Sequence, residues 1–184
     1  MAKVFIAGSI TIKNLDENIR SRISSVVDKY HSVIVGDADG VDLAVQEILR
    51  DFGSEDVTVY CSGFQPRNNV GSWSVKPVES GSKEGTRSYF SAKDKVMAKD
   101  ADFGLMIWDK KSTGTLSNVI EMVRDRKKVA VYLNKDKKFI DILNPQDVMD
   151  MVSLMSSGAK ELAEKKISLT SKLQSIQTVQ TSLF

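Results

Sequence analysis

The sequence predicts an α/β protein of three layers, with a mainly parallel sheet of at least five strands and a C-terminal long helix or helix pair. Three observations lead there. Short apolar runs, each the length of a buried strand, alternate with stretches of helical periodicity. The turns that follow the runs are rich in Gly, Ser and Asp, as turns between strands and helices are. After Asn144-Pro145 the pattern changes to apolar residues spaced by seven. Strands alternating with helices imply right-handed crossovers. In such sheets ligands sit beyond the carboxyl ends of the strands, where the strand order reverses.

Residues 3–7 form the first strand, closed by Gly8-Ser9. Asn14, with Glu17 in the matching place, suggests a capping box. It opens a helix whose face is Leu15, Ile19, Ile23, Val26, Val27 and Tyr30. Residues 32–35 are the second strand. It ends in Gly36-Asp37-Ala38-Asp39-Gly40-Val41-Asp42, where Asp39 is placed to cap the next helix and Asp42 suits its first turn. Val41, Ala44, Val45, Ile48, Leu49 and Phe52 give that helix its buried face, and Gly53 stops it. Residues 57–60 are the third strand.

Residues 61–88 show little periodicity, and loops of that length are functional or disordered. The segment carries Arg67, Asn68, Asn69 and Trp73, which favours a lid: Trp73 would stack on a flat ligand and Arg67 would meet an anion. Residues 89–98 read as a short helix leading to the fourth strand, 104–108. A helix with Leu116, Val119, Ile120 and Val123 on one face ends in the basic group Arg126-Lys127-Lys128, and residues 129–133 are the fifth strand.

The chain is organised around residues 104–118, a strand followed by Asp109, two lysines, Ser112-Thr113-Gly114-Thr115 and a helix start. The first N–H groups of a helix have no internal partner and can hold a phosphate or carboxylate. Gly114 would let the ligand approach, with Lys110 or Lys111 as a point charge. The same residues also fit an ordinary helix start capped by Ser112 or Thr115. Asp37, Asp39 and Asp42 repel an anion unless they face ribose hydroxyls or a cation, and they fit helix capping as well.

From residue 148 onward Val148, Met155, Leu162, Leu169, Ile176 and Leu183 recur at heptad spacing. Val152, Ala159 and Leu173 supply part of a second row, interrupted by Lys166 and Gln180. The seam fits either a contact between chains, which makes the protein a homo-oligomer and most simply a dimer, or helices packed back on the sheet. Residues 1–145 are then one domain and 146–184 a helical extension.

Composition bounds the chemistry. The 184 residues are enough for one domain with a real core. The net charge of +2 gives no global reason for nucleic acid as a partner, and no run is long enough to span a bilayer. Cys61 is the one cysteine and His31 the one histidine, which excludes an internal disulfide and a structural zinc site and fits a reducing, cytoplasmic setting. No metal is indicated by a ligand spacing, and no cofactor is named by the residues.

Several segments together resemble the SLOG superfamily of Rossmann-like proteins, which includes lysine-decarboxylase-like phosphoribohydrolases, the DNA-processing protein A fold and YspA/YpsA-related proteins. The chain looks closest to a bacterial family of that group. The segments are Val4-Phe5-Ile6-Ala7-Gly8-Ser9, the Gly36 to Asp42 turn, Arg67-Asn68-Asn69-Val70-Gly71-Ser72-Trp73, Lys93-Asp94 with Met97, and Trp108 to Asn118. The resemblance implies a nucleotide or nucleotide-derived ligand in the crevice, held by a sensor or ligand-presenting protein. The hydrolase branch carries Pro-Gly-Gly-x-Gly-Thr-x-x-Glu. Here Gly114-Thr115 match, Lys111, Ser112 and Thr113 replace its start, and Asn118 stands where the Glu would be. An amide cannot serve as a carboxylate base or nucleophile. The alternative activity, N-glycoside hydrolysis or transfer on a nucleoside phosphate, needs another acid: Asp109 first, then Asp37, Asp94 or Glu121. The ligand-binding set expected is Gly8, Ser9, Gly36, Asp37, Gly40, Asp42, Arg67, Asn69, Trp73, Asp109, Lys111, Ser112, Gly114, Thr115 and Asn118, with nucleic acid not expected as a partner.

Overall fold

A computed structural model of the chain describes residues 1–181. The elements follow as β1 (Lys3–Gly8), α1 (Glu17–Asp28), β2 (Ser32–Gly36), α2 (Val41–Asp51), β3 (Val57–Ser62), β4 (Ser74–Val78), α3 (Arg87–Asp100), β5 (Phe103–Trp108), α4 (Thr113–Arg124), β6 (Lys128–Leu133), β7 (Lys138–Ile142), α5 (Pro145–Ser153), α6 (Ser157–Ile167) and α7 (Leu169–Thr181). The sheet has seven strands in the order β4-β3-β2-β1-β5-β6-β7. All pairs are parallel except β6 with β7. The α/β class and the parallel sheet expected from the sequence are present.

Each central strand divides its side chains between two layers, because successive residues point to opposite faces. Val4, Ile6, Val33, Val35, Val57, Val59, Leu105 and Ile107 pack on one face with Ile19 and Ile23 of α1 and Val45 and Leu49 of α2. Phe5, Ala7, Ile34, Tyr60, Met106 and Trp108 pack on the other, with Met97 of α3 and Leu116, Val119 and Ile120 of α4. The chain winds outward from β1 to β4, then crosses back to place β5 on the other side of β1. The order therefore reverses between β1 and β5, and a crevice opens beyond their carboxyl ends.

Five local expectations change. The segment read as a lid contains β4, an edge strand paired with β3. The cap of α1 is Asp16, whose carboxylate accepts from the N–H groups of Asn18 and Ile19, and not Asn14. Asp39 does not cap α2: its N-cap is Gly40, with φ of 75° and no side-chain cap, and Asp39 instead accepts from Asn68 Nδ2 at 3.1 Å. The C-terminal stretch is three helices, broken at Ser156, which caps α6, and at Ser168, which takes a left-handed φ of 51°. Finally, the heptad positions Val148, Met155, Leu169 and Ile176 are buried within the chain, in one core with α4 and the sheet. The seam is thus an internal contact at these positions; Leu162 is partly exposed, and Leu183 lies outside the described residues.

Candidate functional site

The cavity at the switch point has a volume of about 510 Å³. Gly8 and Ser9 bring the end of β1 to it, Asp109 the end of β5, and Lys111, Ser112, Thr113, Gly114, Thr115 and Asn118 the start of α4. Arg67 and Asp42 reach it from the β2 side. The three turns expected to face one crevice all reach it, those after β1 and β5 and, through Ala38 and Asp42, the Gly36 to Asp42 turn.

The start of α4 is built by two interlocked caps. Ser112 is the N-cap, and its hydroxyl accepts from Thr115 N. Asp109 holds the turn before it. One carboxylate oxygen accepts from Lys111 N at 2.9 Å and Ser112 N at 2.6 Å. The other accepts from Ser9 Oγ at 2.9 Å and Thr11 Oγ1 at 3.2 Å. Burial pushes this carboxyl up, but the N–H groups of Ser112 and Lys111 and the two hydroxyls outweigh it, so its pKa lies below the usual value. Asp109 is therefore a fixed anion tying β5 to the β1 turn. Among the described residues the N–H groups of Thr113 and Gly114 have no partner. Asn118, one turn further, is 7% exposed and its side chain makes no hydrogen bond with a described residue. A Cβ on Gly114 would meet nothing within 4 Å, because it would stand in the cavity. Gly114 is an ordinary helical residue, so its role is space and not an unusual φ.

Beneath the opposite wall lies an ionic cluster. Lys93 Nζ is 3.1 Å from Asp94, 3.7 Å from Asp37 and 3.8 Å from Asp42. Arg67 donates to Asp37 from Nε at 3.0 Å and Nη2 at 2.8 Å, and its backbone N–H does so at 3.0 Å. Asp37 is buried, yet the Arg67 bonds and the Lys93 charge overcome that burial and hold its pKa low. Asp42 is different. Burial pushes it up to about 6, with Lys93 opposing and Asp94 and Asp37 adding repulsion. The Lys93 ammonium loses solvation on burial, but the three carboxylates hold its pKa above the ordinary lysine value. The upward shifts of both Asp42 and Lys93 are consistent: one ammonium cannot neutralise three acids, and Asp42, the buried acid without an arginine partner, keeps its proton longest.

Several expected ligand contacts fall elsewhere. Trp73 does not cover the cavity. Its ring nitrogen donates to Ser54 O at 2.7 Å and its ring packs with the α1–α2 layer, held by Asn69 through its backbone. The chain needs Trp73 there because β4 pairs with β3 and carries the residue away from the crevice. Asn69 goes with it. Gly36 and Gly40 do not line the cavity; Gly8 does, but at all three the missing Cβ makes room for the chain itself. A Cβ on Gly8 would lie 2.4 Å from Ile107 O, one on Gly36 would lie 2.2 Å from Asp42 Oδ2, and one on Gly40 would lie 2.4 Å from Ile10 O. Asp37 also lies behind the wall, taken by Arg67. Lys110 pairs with Asp136 at 2.6 Å, which leaves Lys111 as the lysine of that turn on the cavity.

The cavity also takes residues outside the expected set: Arg87, Phe90, Ser91, Lys93 and Asp94 of α3, and Leu162 and Lys166 of α6. Phe5, Ala7, Phe90 and Met97 form an apolar wall, and the Arg67 guanidinium lies 4.7 Å above the Phe90 ring. Arg87 donates to Thr113 Oγ1 at 2.9 Å, joining α3 to the start of α4. Lys93 and Asp94 belonged to a segment that carried the family resemblance, and that was the signal available for them. Lys166 had none, since it stood only as a break in the heptads.

No family model matches the chain, and no curated protein matches it in sequence. In structure it is similar to DNA processing protein A from Helicobacter pylori, described for its single-stranded DNA binding mode, with a TM-score of 0.54 and 19% identity. The match covers 71% of this chain and 64% of that one. The likeness supports a Rossmann-like fold of the DNA-processing protein A kind. It also overturns the expectation against nucleic acid as a partner, because that neighbour binds single-stranded DNA. The expectation used net charge, which averages over the whole surface, whereas Arg67, Arg87, Lys111 and Lys166 gather at one cavity. Among the described residues no helix is long and apolar enough to cross a membrane.

Proposed function

We propose that the crevice binds a nucleotide or nucleotide-derived ligand without turning it over, and that the chain is a SLOG-type sensor or ligand-presenting protein of the cell interior. One observation carries this reading. The open N–H groups of Thr113 and Gly114 and the unpartnered amide of Asn118 face a cavity of ligand size at the switch point. A phosphate would sit on the α4 N-terminus with Lys111 as counter-charge. The base would lie on the apolar wall of Phe5, Phe90 and Met97. The fold neighbour adds a related chemistry, since a nucleotide can also arrive as part of a strand.

Titration calorimetry with nucleoside monophosphates and with a single-stranded oligonucleotide tests the proposal, beside mass spectrometry of any small molecule released on denaturation. Saturable binding of a nucleotide, lost in Gly114→Val, supports it. Absence of binding by nucleotides of all the common bases contradicts it.

The alternative is N-glycoside hydrolysis, and the carboxylates narrow it. Both oxygens of Asp109 are occupied by the turn. Arg67 holds Asp37. Glu121 pairs with Arg124 and Lys172, away from the main cavity. Of the four acids named for this role Asp94 remains: it faces the cavity and one of its oxygens accepts no hydrogen bond from a described residue. Release of free base from a nucleoside phosphate, stopped by Asp94→Asn, would decide for this reading.

A further inference from the structure

A smaller cavity of about 170 Å³ continues from the crevice between α3, α4 and the C-terminal helices. The two spaces share Arg87, Asp94, Gly114, Asn118 and Lys166 in their walls. Beyond the shared wall this annex adds Lys95, Ser88 and Ser117. Its far end is closed by Glu121, already neutralised between Lys172 and Arg124.

Its charge is one-sided. Among the described residues Arg87, Lys95 and Lys166 have no carboxylate partner within ion-pair distance; Arg87 donates to Thr113 Oγ1 at 2.9 Å. The one other acid on the wall, Asp94, bonds Lys93 through one oxygen, so the three cations face a single partly compensated carboxylate. Three unpaired cations and the hydroxyls of Ser88, Ser91 and Ser117 surround a space too small for a second nucleoside. Asn118 stands at the junction, 7% exposed, with its amide unpartnered and open to both spaces. A buried amide without a partner is costly unless a ligand or solvent satisfies it.

We infer that the annex is a second phosphate subsite, so that the ligand is a nucleoside diphosphate or a nucleotide whose diphosphate bears a further small group. The inference rests on the nucleotide reading of the crevice. One phosphate lies on the N-terminus of α4, the next passes Asn118, and Arg87, Lys95 and Lys166 meet it. The C-terminal helices then have a part in recognition, because α6 brings Lys166 to the wall.

The test is calorimetry of the full chain with the mono- and diphosphate of each common nucleoside, for the wild type, Lys95→Glu and Ser117→Asp. Lys95 is exposed and Ser117 half-buried, so neither substitution enters the core. The readout is the ratio of the two affinities for one base. In the wild type the diphosphate binds about tenfold tighter or more, the worth of one added charge-assisted hydrogen bond. In both variants the ratio falls toward one. Equal binding of mono- and diphosphate by the wild type overturns the annex and leaves the nucleotide reading standing. A ratio that survives both substitutions also overturns the annex. Absence of any nucleotide binding removes the reading on which the inference rests, and the inference with it.

Discussion

Lys93 shares one positive charge among Asp37, Asp42 and Asp94, and that imbalance has a measurable consequence. Asp42 has its pKa raised to about 6 by burial, against an unfolded value near ~3.9. Between those values the folded chain holds more protons than the unfolded one. The stability linked to Asp42 is thus fully present below about pH 4 and is lost as the pH rises through about 6. Asp37 and Asp109, with lowered pKa values, act in the opposite sense and lose their contribution as the pH falls below the ordinary carboxylate range. Urea denaturation of wild type and Asp42→Asn across this window is the check: the variant gains stability relative to wild type as the pH rises. A difference that stays flat contradicts the raised pKa. Gly36 explains why the cluster fits. A methyl group there would press on Asp42 Oδ2 at 2.2 Å and Lys93 Nζ at 2.6 Å. Gly36→Ala should cost about 1–3 kcal/mol by overpacking, measured by the same denaturation. The Gly36 to Asp42 turn was legible as special from its composition. Its purpose was not, because the partner that explains it, Lys93, comes from a distant helix and only the fold brings them together.

At the scale of the element, α4 carries the most specific expectations. Ser112→Ala removes its cap and should cost about 1 kcal/mol in thermal or chemical denaturation. The sequence marked this helix start well: strand, polar turn and apolar face are all local signals. It marked the glycine's role less well. Gly114 has open space where a Cβ would stand, so a side chain obstructs the ligand and not the fold. Asn118→Ala should weaken ligand binding by about 1–2 kcal/mol while leaving the helix stable, seen as a rise in Kd beside an unchanged unfolding midpoint. The strands with buried apolar runs were equally readable. The edge strands were not: β4 is Ser-Val-Lys-Pro-Val with four exposed residues, and β7 alternates around Lys and Asp. Edge strands bury little and carry Pro and Lys against unwanted pairing, which removes the pattern that identifies a strand.

For the whole molecule, the C-terminal helices decide between two physical meanings of one pattern. Apolar residues every seven positions satisfy a partner chain and a neighbouring helix equally well, so spacing alone could not choose. The fold places Val148, Leu169 and Ile176 in the core that α4 shares with the sheet. Ile176 is 2% exposed, and Ile176→Ala should cost about 2–5 kcal/mol as a large-to-small core change. The unfolding midpoint of wild type and variant should not depend on protein concentration, as it would if Ile176 lay between two chains. The same helices bring Lys166 to the crevice, a contribution without a local signal because it depends on α6 folding back over α3 and α4.

The proposed function turns on a phosphate-bearing nucleotide held by the start of α4 at the switch point. Calorimetric titration of wild type and Gly114→Val with nucleoside phosphates, each protein first shown to unfold at a similar midpoint, tests it most directly. The expected result is saturable binding by the wild type and at least about a tenfold loss in the variant, the effect of more than ~1.4 kcal/mol. Binding of equal strength by a folded Gly114→Val protein would contradict it.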